Sequence, residues 1–279
     1  MNQRWTHWLS RGAHSPIHAT YLAKLRIRDC WVIITRIALL LFILIGWEWA
    51  TKVGWLDPFL FGSPGRIYEL FLQMASTGDL FRDMGITTLE TIGGFILGTT
   101  AGVSLASLIW ASPFLSRVLD PYLVVLNSMP KVALGPLFIV TIGAGFASIL
   151  AMAVAITIVI TTLVIHTAYQ NVSSDYHRLA RSFGASRRQL FTTIIFPACI
   201  PDMIAALKVN VGLAWVGVIV GEFLVAKEGL GYLIIYGFQV FNLNLVMLSL
   251  LLIALCATVM YLIVNYLERR LMRHRNLEC

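Results

Sequence analysis

Six stretches of this chain, each about twenty to twenty-seven residues long, carry few charges or none: 31–50, 87–110, 121–141, 146–169, 201–224 and 240–266. A helix of that length spans the hydrocarbon core of a bilayer. Inside lipid no water is present to pair with backbone N–H and C=O groups, so each crossing segment must satisfy them within its own helix. These runs confine the chain to one fold class, an all-α polytopic membrane protein with six transmembrane helices. Composition agrees, with 58% hydrophobic and 13% charged residues, where a soluble domain is about half apolar and about a quarter charged. The net charge of +7 does not point to nucleic acid, because the charges fall between the apolar runs. The partner such a sequence requires first is the lipid bilayer.

Orientation follows from where the basic residues fall. With both termini inside, fourteen of the 21 lysines and arginines lie on cytoplasmic segments and four on outer loops, leaving Arg36, Lys131 and Lys208 within spans. Loops rich in Lys and Arg stay cytoplasmic, so both ends are expected there. Residues 1–30 read as a cytoplasmic tail, with a short surface helix near 21–28, and 269–279 as a second basic tail. The first apolar run has the length of a full span and is expected to stay in the membrane rather than be cleaved as a leader. Cys30, Cys199, Cys256 and Cys279 are far apart, without pairing or metal spacing, and read as free thiols.

Local signals add detail. Ser63-Pro64 forms a helix start, a hydroxyl cap followed by a residue with no N–H to satisfy, and Ile67, Leu70, Phe71 and Met74 continue with helical period. Gly94, Gly98 and Gly102 recur every fourth residue in span two, letting another helix approach closely. Glu90, three after Thr87, reads as half of a capping box at that span's outer end. Asp120-Pro121 is expected to start span three, which Pro130, Gly135 and Pro136 then interrupt. Span four, without charge, is expected to pack against protein or lipid. The apolar, glycine-marked loop 227–237 reads as a re-entrant or interfacial helix.

Polar residues inside spans are expensive and usually face a bundle interior or a wet cavity. Asn127 and Lys131 in span three, with Asn210, Trp215 and Glu222 in span five, are the candidate pathway residues. Lys131, beside Pro130 near mid-depth, suits an anion in transit. It could equally pair with Glu222 or reach an interface. Asn127, Asn210 and Trp215 could line a path or serve as helix–helix contacts, and Glu222 could gate or simply sit near the outer surface. Lys208 reads as a snorkelling residue, and His166 receives no role.

Between spans four and five lies a basic island, 176–197, holding Arg178, Arg181, Arg187 and Arg188 and no acid. Gly184 marks a turn, Ser186 and Gln189 form a capping box, and Pro197 is expected to stop the second helix. The chain has no Gly-x-x-x-x-Gly-Lys-Ser/Thr segment to cradle nucleotide phosphates, no nucleophile–base pair and no metal motif. Energy for any transport must come from another chain or from an ion gradient. No repeat relates the halves and no carboxylate is expected at mid-depth, which disfavours an ion-coupled secondary transporter. Nothing requires a membrane enzyme or scaffold.

The island resembles the cytoplasmic loop of bacterial ABC importer permeases, patterned Glu-Ala-Ala, three residues, Gly, nine residues, Ile, any residue, Leu-Pro. Ala180, Gly184, Ile194 and Pro197 agree with it. Arg178 stands in place of the glutamate, Leu179 of the first alanine and Phe196 of the leucine. FGSPGRIYEL, MPKVALGPLFIVTIGAG and GEFLVAKEGLGYLI also resemble the nitrate/sulfonate/taurine-type permeases, and the likeness runs from about residue 35 to 268. It implies a type I importer permease fold over 31–268 in a bacterial inner membrane, with a second copy of the chain completing the pathway. Two cytoplasmic ATPase subunits would hold ATP and magnesium, leaving this chain without a cofactor, and an extracytoplasmic binding protein would deliver substrate. The loop 174–197 would dock on the ATPase through Arg178, Leu179, Ala180, Gly184, Ala185, Ser186 and Pro197. Substrates implied are small oxyanions (nitrate, sulfonates, taurine, bicarbonate), with a vitamin precursor or aromatic acid as the alternative.

Overall fold

The computed structural model describes residues 16–273. Every regular element among them is a helix, and they divide into two compact units, up to Tyr68 and from Glu69 onward.

In the first unit α1 runs unbroken over Pro16–Val53. The separate surface helix expected near 21–28 is therefore the start of α1. Its apolar part, Lys24–Val53, is long enough to cross a membrane. The chain then folds back through α2 (Pro58–Phe61), whose N-cap Asp57 accepts from the Phe59 N–H at 2.8 Å. Helix α3 (Pro64–Thr77) starts where the Ser-Pro signal places it, with Ser63 Oγ accepting from Arg66 N–H. Glu48 near the end of α1 ties this turn down. It accepts from the Gly65 N–H at 3.1 Å and pairs with Lys52 at 3.0 Å.

The second unit takes in the rest of α3 and then α4 (Asp79–Ala111), which starts eight residues earlier than the apolar run suggests, after left-handed Gly78. Thr87 and Glu90 therefore lie inside the helix, both buried, and cannot form the terminal capping box expected of them. The polar first turns are accommodated because their carboxylate Asp83 accepts from a distant backbone N–H, described below. Helix α5 (Pro113–Ser128) is capped by Ser112 and passes through Pro121 without stopping. The break comes later, at Met129-Pro130. A 3-10 turn, Lys131–Leu134, and α6 (Gly135–Ile142) leave at 92° to α5. A prolyl ring without an N–H, followed by Gly135-Pro136, removes the ladder bonds a straight helix would need.

Helix α7 (Phe146–Asn171) is the centre of the unit. Half of its apolar window is buried, more than in any other described span. The glycine stripe of α4 meets it: a Cβ on Gly98 would overlap the Thr157 side chain, and one on Gly102 would come to 2.5 Å of Thr161 Cβ. Absent side chains let the two backbones close up, which is how helices associate where lipid is as apolar as leucine. Thr157, Thr161 and Thr162 return their hydroxyls to carbonyls four residues back, at 2.6–2.8 Å, so burying them leaves no orphan donor.

After α7 come the short helices of the basic island, described below, then α11 (Ile200–Val225), α12 (Leu230–Gln239) and α13 (Leu243–Arg273). Helix α12 is the short apolar helix expected in the loop 227–237. Among the described residues five helices are long and apolar enough to span, or six if the bent pair α5/α6 counts as one.

Candidate functional site

The island folds as a helical hairpin. Ser173 caps α8 (Ser174–Ser182) by accepting from Asp175 N–H. The helix ends in a Schellman motif: Gly184 N–H donates to Arg181 O at 2.9 Å and Ala185 N–H to Ala180 O at 3.0 Å. Gly184 has φ 71°, the left-handed region. A Cβ there would meet open space, so the demand for glycine comes from the backbone and not from crowding. Helix α9 (Arg187–Leu190) then opens with both halves of the expected capping box, Gln189 N–H to Ser186 Oγ and Ser186 N–H to Gln189 Oε1.

The second half departs from expectation at Pro197. The helix does not stop there. It widens into a π-turn, Phe191–Ile195, continues through α10 (Phe196–Ala198) with Pro197 near its start, and breaks at Cys199 before α11. Proline is tolerated because first-turn residues have no intrahelical acceptor for their N–H. The wide turn aims Phe191 into an aromatic group, 4.9 Å from Trp110 of α4 and 5.4 Å from Tyr169 of α7 between ring centroids. Arg187 lies over the Trp110 ring, 5.5 Å from its centre, and donates to Trp110 O at 3.3 Å.

This arrangement gives the hairpin two faces. Ala180 and Leu190 are buried, in one cluster with Ala106, Ile165, Tyr169, Ile195 and Cys199. Burial and the nearby Asp202 carboxylate raise the Cys199 thiol above its usual range, keeping it a protonated core residue. The exposed side carries Tyr176, Leu179 (53% exposed), Phe183 (81% exposed), Arg178 and Arg181. Arg178, where the family pattern has glutamate, reaches Asp175 of its own helix at 3.7 Å with both side chains exposed.

The other sequence candidates are dispersed. Lys131 Nζ donates to Asn127 O at 2.9 Å, closing the end of α5 at the 92° break. It is half-exposed and does not pair with Glu222. Asn210 is fully buried and donates to Thr99 and Thr161 at 2.9 and 2.7 Å, joining α11 to α4 and α7. Trp215 is buried with its indole N–H unpartnered among the described residues. Lys208 pairs with Glu268 of α13 rather than snorkelling alone.

Glu222, 1% exposed, belongs to a knot that sequence reasoning missed. The first N–H groups of α12 have no intrahelical acceptors. Those of Gly229, Leu230 and Gly231 go to Asp83, Thr87 and Glu222, the first two at 2.8 Å. Thr87 donates in turn to Glu222 at 2.7 Å, and Arg82 pairs with Glu228 alongside. The glycine pair opening α12 was the available signal, since it exposes donors that some neighbour must satisfy.

The described residues thus include a basic hairpin anchored on one face, a broken span and a short helix pinned at its start. Among the described residues no His, Cys, Asp and Glu cluster could hold a metal. Three comparisons with known proteins bear on the family. A putative aliphatic sulfonates transport permease protein of Bacillus subtilis is 26% identical over 82% of this chain and 83% of its own length. A riboflavin transport system permease protein of Chloroflexus aurantiacus is 30% identical over 84% and 87%. In fold, a bacterial ABC transporter involved in import of the acidic polysaccharide alginate matches with TM-score 0.61 at 16% identity, over 88% of this chain and 97% of that one. The model of one family matches residues 94–273, more than half the chain. The chain belongs to the binding-protein-dependent transport system inner membrane components, and is a membrane-spanning permease of an ABC importer, working with a separate ATPase and a substrate-binding protein.

Proposed function

We propose that two copies of this chain form a pathway for a small anionic solute, with the 174–197 hairpin of each docked on a cytoplasmic ATPase subunit. The observation that carries the docking role is the two-faced hairpin: Ala180 and Leu190 are held in the bundle while Leu179, Phe183, Arg178 and Arg181 are exposed. A lever needs both a fixed and a free face. The excess of basic residues on the segments that include this hairpin supports both termini being cytoplasmic in a bacterial inner membrane. ATP and magnesium then belong to the ATPase. Its closure would push the hairpins, and the paired permeases would open outward to a loaded binding protein.

The substrate class rests on Lys131 at the break of span three, a cation beside backbone freed by Pro130, and on the sulfonate-permease relative. The riboflavin-permease relative supports a second reading, an uncharged or aromatic vitamin-like solute. Uptake into vesicles settles the energy source: removal of ATP with the proton gradient intact should abolish it, and persistence would refute the docking reading. Stimulation of the purified complex's ATPase by a panel of loaded binding proteins separates oxyanions from vitamins.

A further inference from the structure

Beside the hairpin, the end of α4 and the start of the hairpin's second half enclose a groove of about 500 Å³. Leu108, Ala111 and Phe191 supply apolar wall, Ser104 and Ser107 supply hydroxyls, and Arg187 and Arg188 stand over it. Arg187 is held in place by the Trp110 ring and carbonyl. Among the described residues no carboxylate lies within ion-pair distance of either arginine. Leu108 is 62% exposed on the flank of a span, so the groove opens where lipid chains lie.

We propose that this groove binds one anionic phospholipid. Its phosphodiester would lie between Arg187 and Arg188, and an acyl chain would cover Leu108 and Phe191. The inference rests on the cytoplasmic placement of the hairpin. Guanidinium groups bind phosphate oxygens in a fixed, two-pronged geometry. Tryptophan at a span's end marks the headgroup level, and basic pockets between spans on the cytoplasmic side suit anionic headgroups. A soluble phosphate would satisfy the arginines and leave the apolar wall wet; a lipid covers both. The groove has one wall on α4 and the other on the hairpin, so an occupant fastens the hairpin to the bundle where the motor would push.

The test uses the full-length chain in detergent, with bound lipid counted by native mass spectrometry during titration with phosphatidylglycerol or phosphatidylethanolamine. Wild type should prefer phosphatidylglycerol by about thirtyfold, the equivalent of ~1 kcal/mol for each of two arginines. The Arg187→Gln, Arg188→Gln pair should lose that preference. Ser104→Trp, which fills the groove with both arginines in place, should lose it too. Inorganic phosphate should not displace the lipid. Unchanged preference in both variants overturns the proposal. Displacement by phosphate would mean a site for free anions and overturns it as well. The same holds if the arginine variants lose co-purification with the ATPase while lipid retention stays constant, which would give the surface to the motor. Co-purification of ATPase with the wild-type chain, scored separately, tests the docking reading by itself.

Discussion

At Gly184 one backbone angle decides how the hairpin turns. An L-residue with a side chain pays roughly 1–2 kcal/mol to sit at φ 71°, although a Cβ would find space. Gly184→Val should therefore insert normally yet lose most binding-protein-stimulated ATPase activity, measured on the reconstituted complex. Full stimulation would show that the turn tolerates strain. Cys199 makes a second prediction. Burial raises its thiol pKa, so the reactive thiolate appears only at higher pH than for an ordinary thiol. Maleimide labelling near neutral pH should be slower at Cys199 than at half-exposed Cys30, and should remain so as pH rises through the usual thiol range. Equal rates would mean that the cluster around Cys199 opens readily.

The helices are joined by two kinds of contact, close backbone approach and capped termini. Gly98→Leu should force α4 from α7, because even a Cβ collides with Thr157. Overpacking costs about 1–3 kcal/mol, and a lowered melting temperature of the solubilised chain is expected. Glu222→Ala removes the acceptor for Gly231 N–H and Thr87 Oγ1 in a fully buried place. Stranding buried donors costs about 1–3 kcal/mol. The loosening should be local, with faster hydrogen exchange at residues 229–232 than at the α4–α7 seam. The caps also explain why span two was misjudged from sequence. Thr87 and Glu90 have capping-box spacing, but the polar turns before them are stabilised by α12, which lies some 140 residues away in the chain. The glycine stripe of α4 and the Ser186–Gln189 box were legible because both sides of each relation are local or periodic.

For the whole molecule, transport is separated from the energy source: the chain is a permease, and ATP hydrolysis belongs to a separate partner. Lys131→Ala should weaken uptake of an anionic solute several-fold while leaving basal ATPase activity of the complex intact. Unchanged kinetics over a substrate titration would remove Lys131 from the pathway. Six bilayer-length apolar runs, the distribution of Lys and Arg, and the Gly184 hairpin could all be read from residues alone, because each depends on solvation or on neighbours within a few positions. Proline at 130 announced a break in span three, but its 92° angle depends on packing. Tertiary structure alone decided that α7 is central, that Phe191 sits on a π-turn facing Trp110 and Tyr169, and that Glu222 and Asn210 are buried joints. Those outcomes depend on which distant helix arrives to satisfy a donor or fill a groove, and linear order does not encode that arrival locally.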